Sequence, residues 1–157
     1  MAKRQDQRPA LPSVLDRLIE DDREQAMTTA QFGAALRAAV RRDLEDLLNS
    51  RQRPFDPPPG LEELESSSYE FGIPDFSGAN LSSLERRRKY LKNIEEIIRR
   101  HEPRFASVRV VPVDDRQAAY RSLHFRIEAV LRVEPAPESV LYDSQVDILT
   151  RSFRIQI

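Results

Sequence analysis

The sequence predicts an α+β fold, with N-terminal helices packed on one face of a small, mostly antiparallel C-terminal sheet. Three observations lead there. Two long runs before residue 101 place apolar residues at helical spacing, the mark of helices with one buried face. Beyond residue 105 the apolar period becomes two, that of half-buried strands. Pro103 stands at the boundary, where its ring ends one element before the other begins. Helices followed by strands is the segregated order of an α+β domain, unlike the alternation that builds a parallel α/β sheet.

Residues 1–12 carry four charges and two prolines and predict no stable element. Ser13-Val14-Leu15-Asp16-Arg17-Leu18-Ile19 is an apolar patch with room for one or two helical turns, followed by Glu20, Asp21, Asp22 and Glu24. Residues 1–27 therefore read as an arm with a short helical patch, and 28–157 as a single domain. Thr28 or Thr29 caps the first long helix. Phe32, Leu36, Val40, Leu44, Leu47 and Leu48 form its apolar stripe, and Arg37, Arg41, Arg42, Asp43, Glu45 and Asp46 fill the other face. The helix is expected to end near Asn49. Pro54, Pro57, Pro58 and Pro59 make the next segment extended or turn-like. Leu61 to Tyr69 is expected to form another short helix. Phe71-Gly72-Ile73-Pro74-Asp75-Phe76 is apolar but broken by glycine and proline, and so predicts a packed loop. Ser82 with Glu85 reads as a capping box that opens the second long helix. Leu84, Leu91, Ile94, Ile97 and Ile98 share one face of that helix, and Pro103 ends it.

In the second half, Val108 and Val110 begin the alternation. Leu123, Phe125, Ile127, Ala129, Leu131 and Val133 continue it, with His124, Arg126, Glu128 and Arg132 on the opposite face. Pro135 and Pro137 interrupt it. Val140, Tyr142, Val146, Ile148, Phe153, Ile155 and Ile157 supply two more strands. One sheet face is expected to take the helical stripes. The other, bearing Arg126 and Arg132, meets water or a partner.

Composition narrows the possible functions. Of 157 residues, 39% are hydrophobic and 32% charged, enough for one modest core under a charged surface. The net charge of −1 selects no partner by bulk attraction. Three of the 25 basic residues are lysine, a bias that suits fixed contacts with carboxylates and is equally explained by genome base composition. The absence of cysteine excludes disulfides and thiolate metal sites. A polar N-terminus without an apolar core predicts no signal peptide. The lack of cysteine permits a cytosolic location, and no apolar run has membrane-spanning length.

Signatures of catalysis are sparse. None of the four glycines lies in a phosphate-cradling pattern. His101 and His124 have no acidic residues at the spacing that completes a metal site, so neither a metal nor a cofactor is expected. A glycosidase needs two carboxyls facing one cleft, an arrangement that spacing alone does not reveal among 26 carboxylates. The cluster Arg86-Arg87-Arg88-Lys89, with Lys92, Arg99 and Arg100, has a nucleic-acid reading. A solvated face balanced by Glu85, Glu95 and Glu96, or an acidic protein partner, is preferred. Neither a nucleic acid nor a small-molecule substrate is then expected. Glu102-Pro103-Arg104 is either a helix stop with an incidental charged pair or an ion pair held for a partner. Ser152 to Ile157 alternates without proline or lysine, which makes it a candidate free sheet edge if it does not lie inside the sheet.

Several segments together resemble the TssE family of the type VI secretion system. Ser13-Val14-Leu15-Asp16-Arg17-Leu18 is similar to the family's "LLDRL", and Val40-Arg41-Arg42-Asp43-Leu44-Glu45-Asp46-Leu47-Leu48-Asn49-Ser50-Arg51 to its "rDLe.LLNtR" helix. Tyr69 to Phe76 is similar to its "GlpDf" loop, and Glu102-Pro103-Arg104 to its "EPR" motif. Leu123 to Ala129 and Val140 to Ser144 resemble its C-terminal sheet. The prolines at 54–59 and Tyr142 in place of a phenylalanine depart from the pattern. The family includes a small wedge protein of contractile phage tails, historically labelled lysozyme-like.

The resemblance implies a non-enzymatic part of the baseplate, working in the cytoplasm and meeting a membrane only through the assembled apparatus. Such a protein joins the wedge subunits (TssF, TssG, TssK) and initiates polymerisation of the contractile sheath (TssB, TssC). It places baseplate assembly on Glu102, Pro103 and Arg104. A sheath strand added to a free edge would fall on Phe153, Ile155 and Ile157. Alanine at Glu102 or Arg104 is then expected to weaken assembly and leave folding largely intact. The alternatives are a peptidoglycan glycosidase, suggested by the old label, and a nucleic-acid module using the arginine-rich helix.

Overall fold

The computed structural model describes residues 18, 29–53, 60–61, 63–64, 67–74, 83–113, 122–133, 136–147, 150 and 152–156. The N-terminal arm except Leu18, the prolines at 54–59, and Ile148 and Ile157 lie outside these residues.

Helix α1 (Thr29–Asn49) ends where its apolar stripe ends. Leu36, Val40, Leu44, Leu47 and Leu48 are at most 2% exposed, and Phe32 packs on the margin of the core. Helix α2 (Leu84–His101) buries Leu91, Ile94, Ile97 and Ile98. Leu84, at the helix's first turn, lies outside the core and is exposed. The N-cap of α2 is Ser83, not Ser82. Its extended backbone (φ −91°, ψ 141°) lets its side chain accept the Arg86 N–H at 3.2 Å. Glu85 then sits one position too early to close a capping box. At the other end the residue before Pro103 is pushed out of helical geometry: Glu102 has φ −115° and ψ 84°.

The expected helix over Leu61–Tyr69 is, among the described residues, a 3-10 turn at Glu63–Leu64 followed by turns. Serine chemistry explains the difference. Ser67 donates its hydroxyl to the Leu64 carbonyl at 2.8 Å and accepts the Tyr69 N–H at 3.1 Å, bonds that compete with a helical ladder. Of the packed loop expected over residues 71–76, Asp75 and Phe76 lie outside the described residues, and the rest packs through Ile73. Ile73 is buried and pairs with Arg51 in an isolated parallel bridge, through Ile73 N–H to Ser50 O (3.0 Å) and Gln52 N–H to Ile73 O (2.9 Å).

Strands β1 (Phe105–Pro112), β2 (Ser122–Leu131), β3 (Glu138–Asp147) and β4 (Phe153–Gln156) pair antiparallel in chain order. β1 and β4 are therefore the two edges. A bulge between Phe105 and Ser107 adds a residue to β1 as it leaves the joint. Alternation turns Val108, Val110, Leu123, Phe125, Ile127, Ala129, Leu131, Val140, Tyr142, Val146, Phe153 and Ile155 into one core with both helical stripes. α2 approaches β1 and α1 approaches β4, so the helices sit over opposite margins of the sheet. On the outer face Arg126 pairs with Asp143 at 2.7 Å.

Candidate functional site

The joint between α2 and β1 gathers charge inside the fold. Helix α2 closes when the Glu102 N–H donates to Ile98 O at 2.8 Å. The backbone then turns at exposed Pro103 and enters β1, with Phe105 N–H donating to Glu102 O at 3.3 Å. The turn brings the side chains of Glu102 and Arg104 to the same place. Arg104 Nε donates to Glu102 Oε1 at 2.7 Å, its backbone N–H donates to the same oxygen at 3.1 Å, and Nη2 donates to Glu102 Oε2. The two-bond guanidinium–carboxylate fork is the strong form of this contact.

A third residue completes the cluster. Arg104 Nη2 also donates to Asp43 Oδ2 at 2.7 Å, so the joint is tied to the middle of α1. Glu102 is 5% exposed, and the Arg104 and Asp43 side chains 13% and 28%. Burial opposes the guanidinium charge, but the bonds to Glu102 and Asp43 outweigh it and raise the Arg104 pKa above its ordinary value. The Nη1 nitrogen of Arg104 is buried and makes no hydrogen bond among the described residues. Arg132 closes the outside of the turn, donating its side chain to Pro103 O at 2.9 Å and its N–H to Arg104 O at 3.0 Å. Tyr142, fully buried nearby, donates to Arg37 O at 3.4 Å. Burial, then the charge of Glu102, pushes its hydroxyl up to about 12.

The structure thus brings Glu102 and Arg104 together as an internal brace and leaves Pro103 as the exposed part of the joint. This burial revises the expectation that alanine at either charged position leaves folding intact. Removing one member strands charge away from water, which costs far more than losing a surface pair. In the sequence Asp43 is one of several polar-face residues of α1. A partner 61 positions away has no spacing signature.

The other sequence-predicted residues fall elsewhere. Phe153 and Ile155 are 2% and 3% exposed, so β4 offers its surroundings main chain rather than apolar side chains. Ile157 lies outside the described residues. His101 packs edge-on against Phe71 at 5.7 Å, and burial, reinforced by Arg100, lowers its pKa. His124 lies 3.3 Å from the Ser122 hydroxyl on the outer sheet face. The cations at Arg86, Arg87, Arg88, Lys89 and Lys92 lie on the exposed surface of α2. Among the described residues no group of three or more His, Asp or Glu side chains is placed to hold a metal, and no helix is long and apolar enough to cross a membrane. The Glu102 carboxylate holds Arg104 through both oxygens, an arrangement suited to bracing rather than to proton transfer.

A family model described as "Baseplate wedge protein gp25" matches residues 34–136. The matched stretch holds Asp43, the whole joint, β1 and β2, and ends before β3. No curated protein and no solved structure matches the chain.

Proposed function

This chain belongs to the baseplate wedge protein gp25 family, and on that premise we propose that it is the type VI secretion baseplate component that joins the wedge and starts the sheath. The family's role is structural, in a phage-tail-like baseplate. The observation that carries the reading is the match itself, which spans Asp43 and the joint. The cluster built there supports it. Glu102, Arg104 and Asp43 lock the end of α2, the start of β1 and the middle of α1 into one fixed corner, and Pro103 projects from that corner into solvent. A rigid exposed corner is a preorganised contact, which loses little freedom when a partner binds. In this reading Glu102 and Arg104 act on the wedge subunits (TssF, TssG, TssK) by holding Pro103 and the surface around it. The sheath subunits (TssB, TssC) reach the main chain of β4 at Phe153 and Ile155, and the work takes place in the cytoplasm.

Capture of wedge and sheath subunits by the purified protein tests this. Pro103→Ser removes the exposed ring while leaving the cluster's charged groups in place. We expect it to keep most of the thermal stability and to lose wedge capture by about tenfold, the equivalent of one good contact of about 1.4 kcal/mol. Undiminished capture by a folded Pro103→Ser protein would remove the joint from the interface. Failure of the wild-type protein to bind any wedge or sheath subunit would remove the function.

A further inference from the structure

The free edge of β4 is occupied from within. The Asp147 N–H bond to Ser152 O (3.0 Å) sets the phase of the β3–β4 ladder, so Ser152, Arg154 and Gln156 turn their main-chain groups toward β3. Those of Phe153 and Ile155 point away from the sheet, toward the side where a fifth strand would lie. Asn49, the last residue of α1, meets them there. Its Oδ1 accepts the Phe153 N–H at 2.9 Å and its Nδ2 donates to Phe153 O at 3.1 Å. One primary amide thus makes the donor-and-acceptor pair that a residue of a neighbouring antiparallel strand would make. Two residues along, Arg41 donates to Ile155 O at 3.3 Å.

Both groups have somewhere else to go. Asn49 Nδ2 also donates to Glu45 O within its own helix at 2.8 Å, shorter than its bond to Phe153. Arg41 also donates to the Glu45 carboxylate at 3.1 Å, again the shorter of its two contacts. Release from β4 therefore orphans neither donor, and an incoming strand repays the Phe153 and Ile155 groups in kind. The other edge is held differently. On β1 the Val113 N–H bond to His124 O (3.1 Å) puts the Val110 N–H on the outward side, where the Glu95 carboxylate accepts it at 3.0 Å. That contact satisfies a donor without imitating a strand.

We propose that Asn49 and Arg41 form a displaceable cap on β4. In the free protein the Asn49 amide stands in for the backbone of a fifth strand, and on assembly it yields to an extended segment of the sheath subunit. The proposal rests on the strand-addition reading given above. It assigns Asn49 two roles: shielding an edge that would otherwise pair with another copy, and keeping Phe153 in register for the arriving strand.

Amide hydrogen exchange resolved to single residues, on the free protein and on its complex with purified sheath subunits, tests the cap. In free Asn49→Ala the Phe153 amide is expected to exchange about fivefold to tenfold faster, as for the loss of one hydrogen bond, and the protein to self-associate with concentration. Asn49→Asp keeps an acceptor for the Phe153 N–H and replaces the donor with a charged oxygen facing Phe153 O and Glu45 O. It guards against poor folding of the alanine variant and is expected to fall between the two. In the wild-type complex the Phe153 and Ile155 amides gain protection. Unchanged exchange at Phe153 in both variants overturns the cap. Protection appearing at Val108 and Val110 instead puts the strand on β1, which overturns the cap while sparing strand addition. If no amide on either edge gains protection in a complex that does form, strand addition itself fails.

Discussion

Arg104 reaches across two elements. Its guanidinium is forked onto Glu102 and shared with Asp43, and it lies mostly out of solvent. Truncating Arg104 leaves the buried Glu102 carboxylate without its cation and Asp43 with the longer contact to Arg42 at 3.7 Å. Truncating Glu102 leaves the guanidinium with Asp43 alone. Each alanine variant is expected to lose about 3–5 kcal/mol of unfolding free energy, a large share of the roughly 5–15 kcal/mol typical of a domain. Chemical denaturation of the two single variants and the double variant checks this. The double variant is expected to be less unstable than the sum, because it removes the charges together. Strict additivity would show that the two side chains do not act as a pair. The sequence displayed Glu102 and Arg104 plainly, since a proline between opposite charges at an element boundary is a local pattern. It did not display their inward orientation or the part played by Asp43, because both depend on how α1 lies against the joint.

Periodicity at the scale of elements fixes what local chemistry then trims. The stripe from Leu36 to Leu48 and the alternation from Leu123 to Leu131 were legible because buried faces impose their period on the sequence, and both long helices and all four strands are where that period puts them. Departures arise where side chains bond their own backbone, as Ser67 does in converting a short expected helix into turns. Edge occupancy was illegible for a further reason. The sequence of β4 shows a strand without proline or lysine, but the groups that close it, Asn49 and Arg41, belong to α1. The loop at Gly72 allows a direct test of local constraint. Its φ of +110° is reserved for glycine, and an added Cβ would stand 2.8 Å from the backbone C and O of Ser50. Gly72→Ala is expected to cost at least about 1–3 kcal/mol, the range for strained backbone. It should break the Ser50–Ile73 and Gln52–Ile73 bonds, seen as faster exchange of the Ile73 and Gln52 amides. A variant as stable as the parent would mean that the loop can back away from Ser50, and that the bridge is not a constraint.

The described fold is closed by contacts between α1 and the last strands. α1 reaches β3 through Arg37 and Glu138 and through the Tyr142 hydroxyl, and it reaches β4 through Arg41 and Asn49. α2 is joined to β1 by sequence and by Glu95, and the bond from Arg104 to Asp43 links that half to the other. The meander β1-β2-β3-β4 pairs neighbours only, so its own register makes no use of α1. If α1 is held mainly by the far edge of the sheet, shortening that edge should release α1 before it disturbs β1 and β2. Ending the chain after Ser152 removes Phe153 and Ile155, both almost completely buried. At about 1.5–3 kcal/mol for each apolar side chain, the loss is about 3–6 kcal/mol before the edge bonds are counted. The shortened protein is expected to melt at lower temperature. The α1 amides from Arg37 to Asn49 should lose protection from exchange well before those of Ile127 and Ala129 in β2. Uniform loss across α1 and β2 would instead make the sheet and both helices a single cooperative unit. In that case the β4 edge and the corner at Pro103, the two contacts proposed above, would be coupled through the whole core rather than through α1.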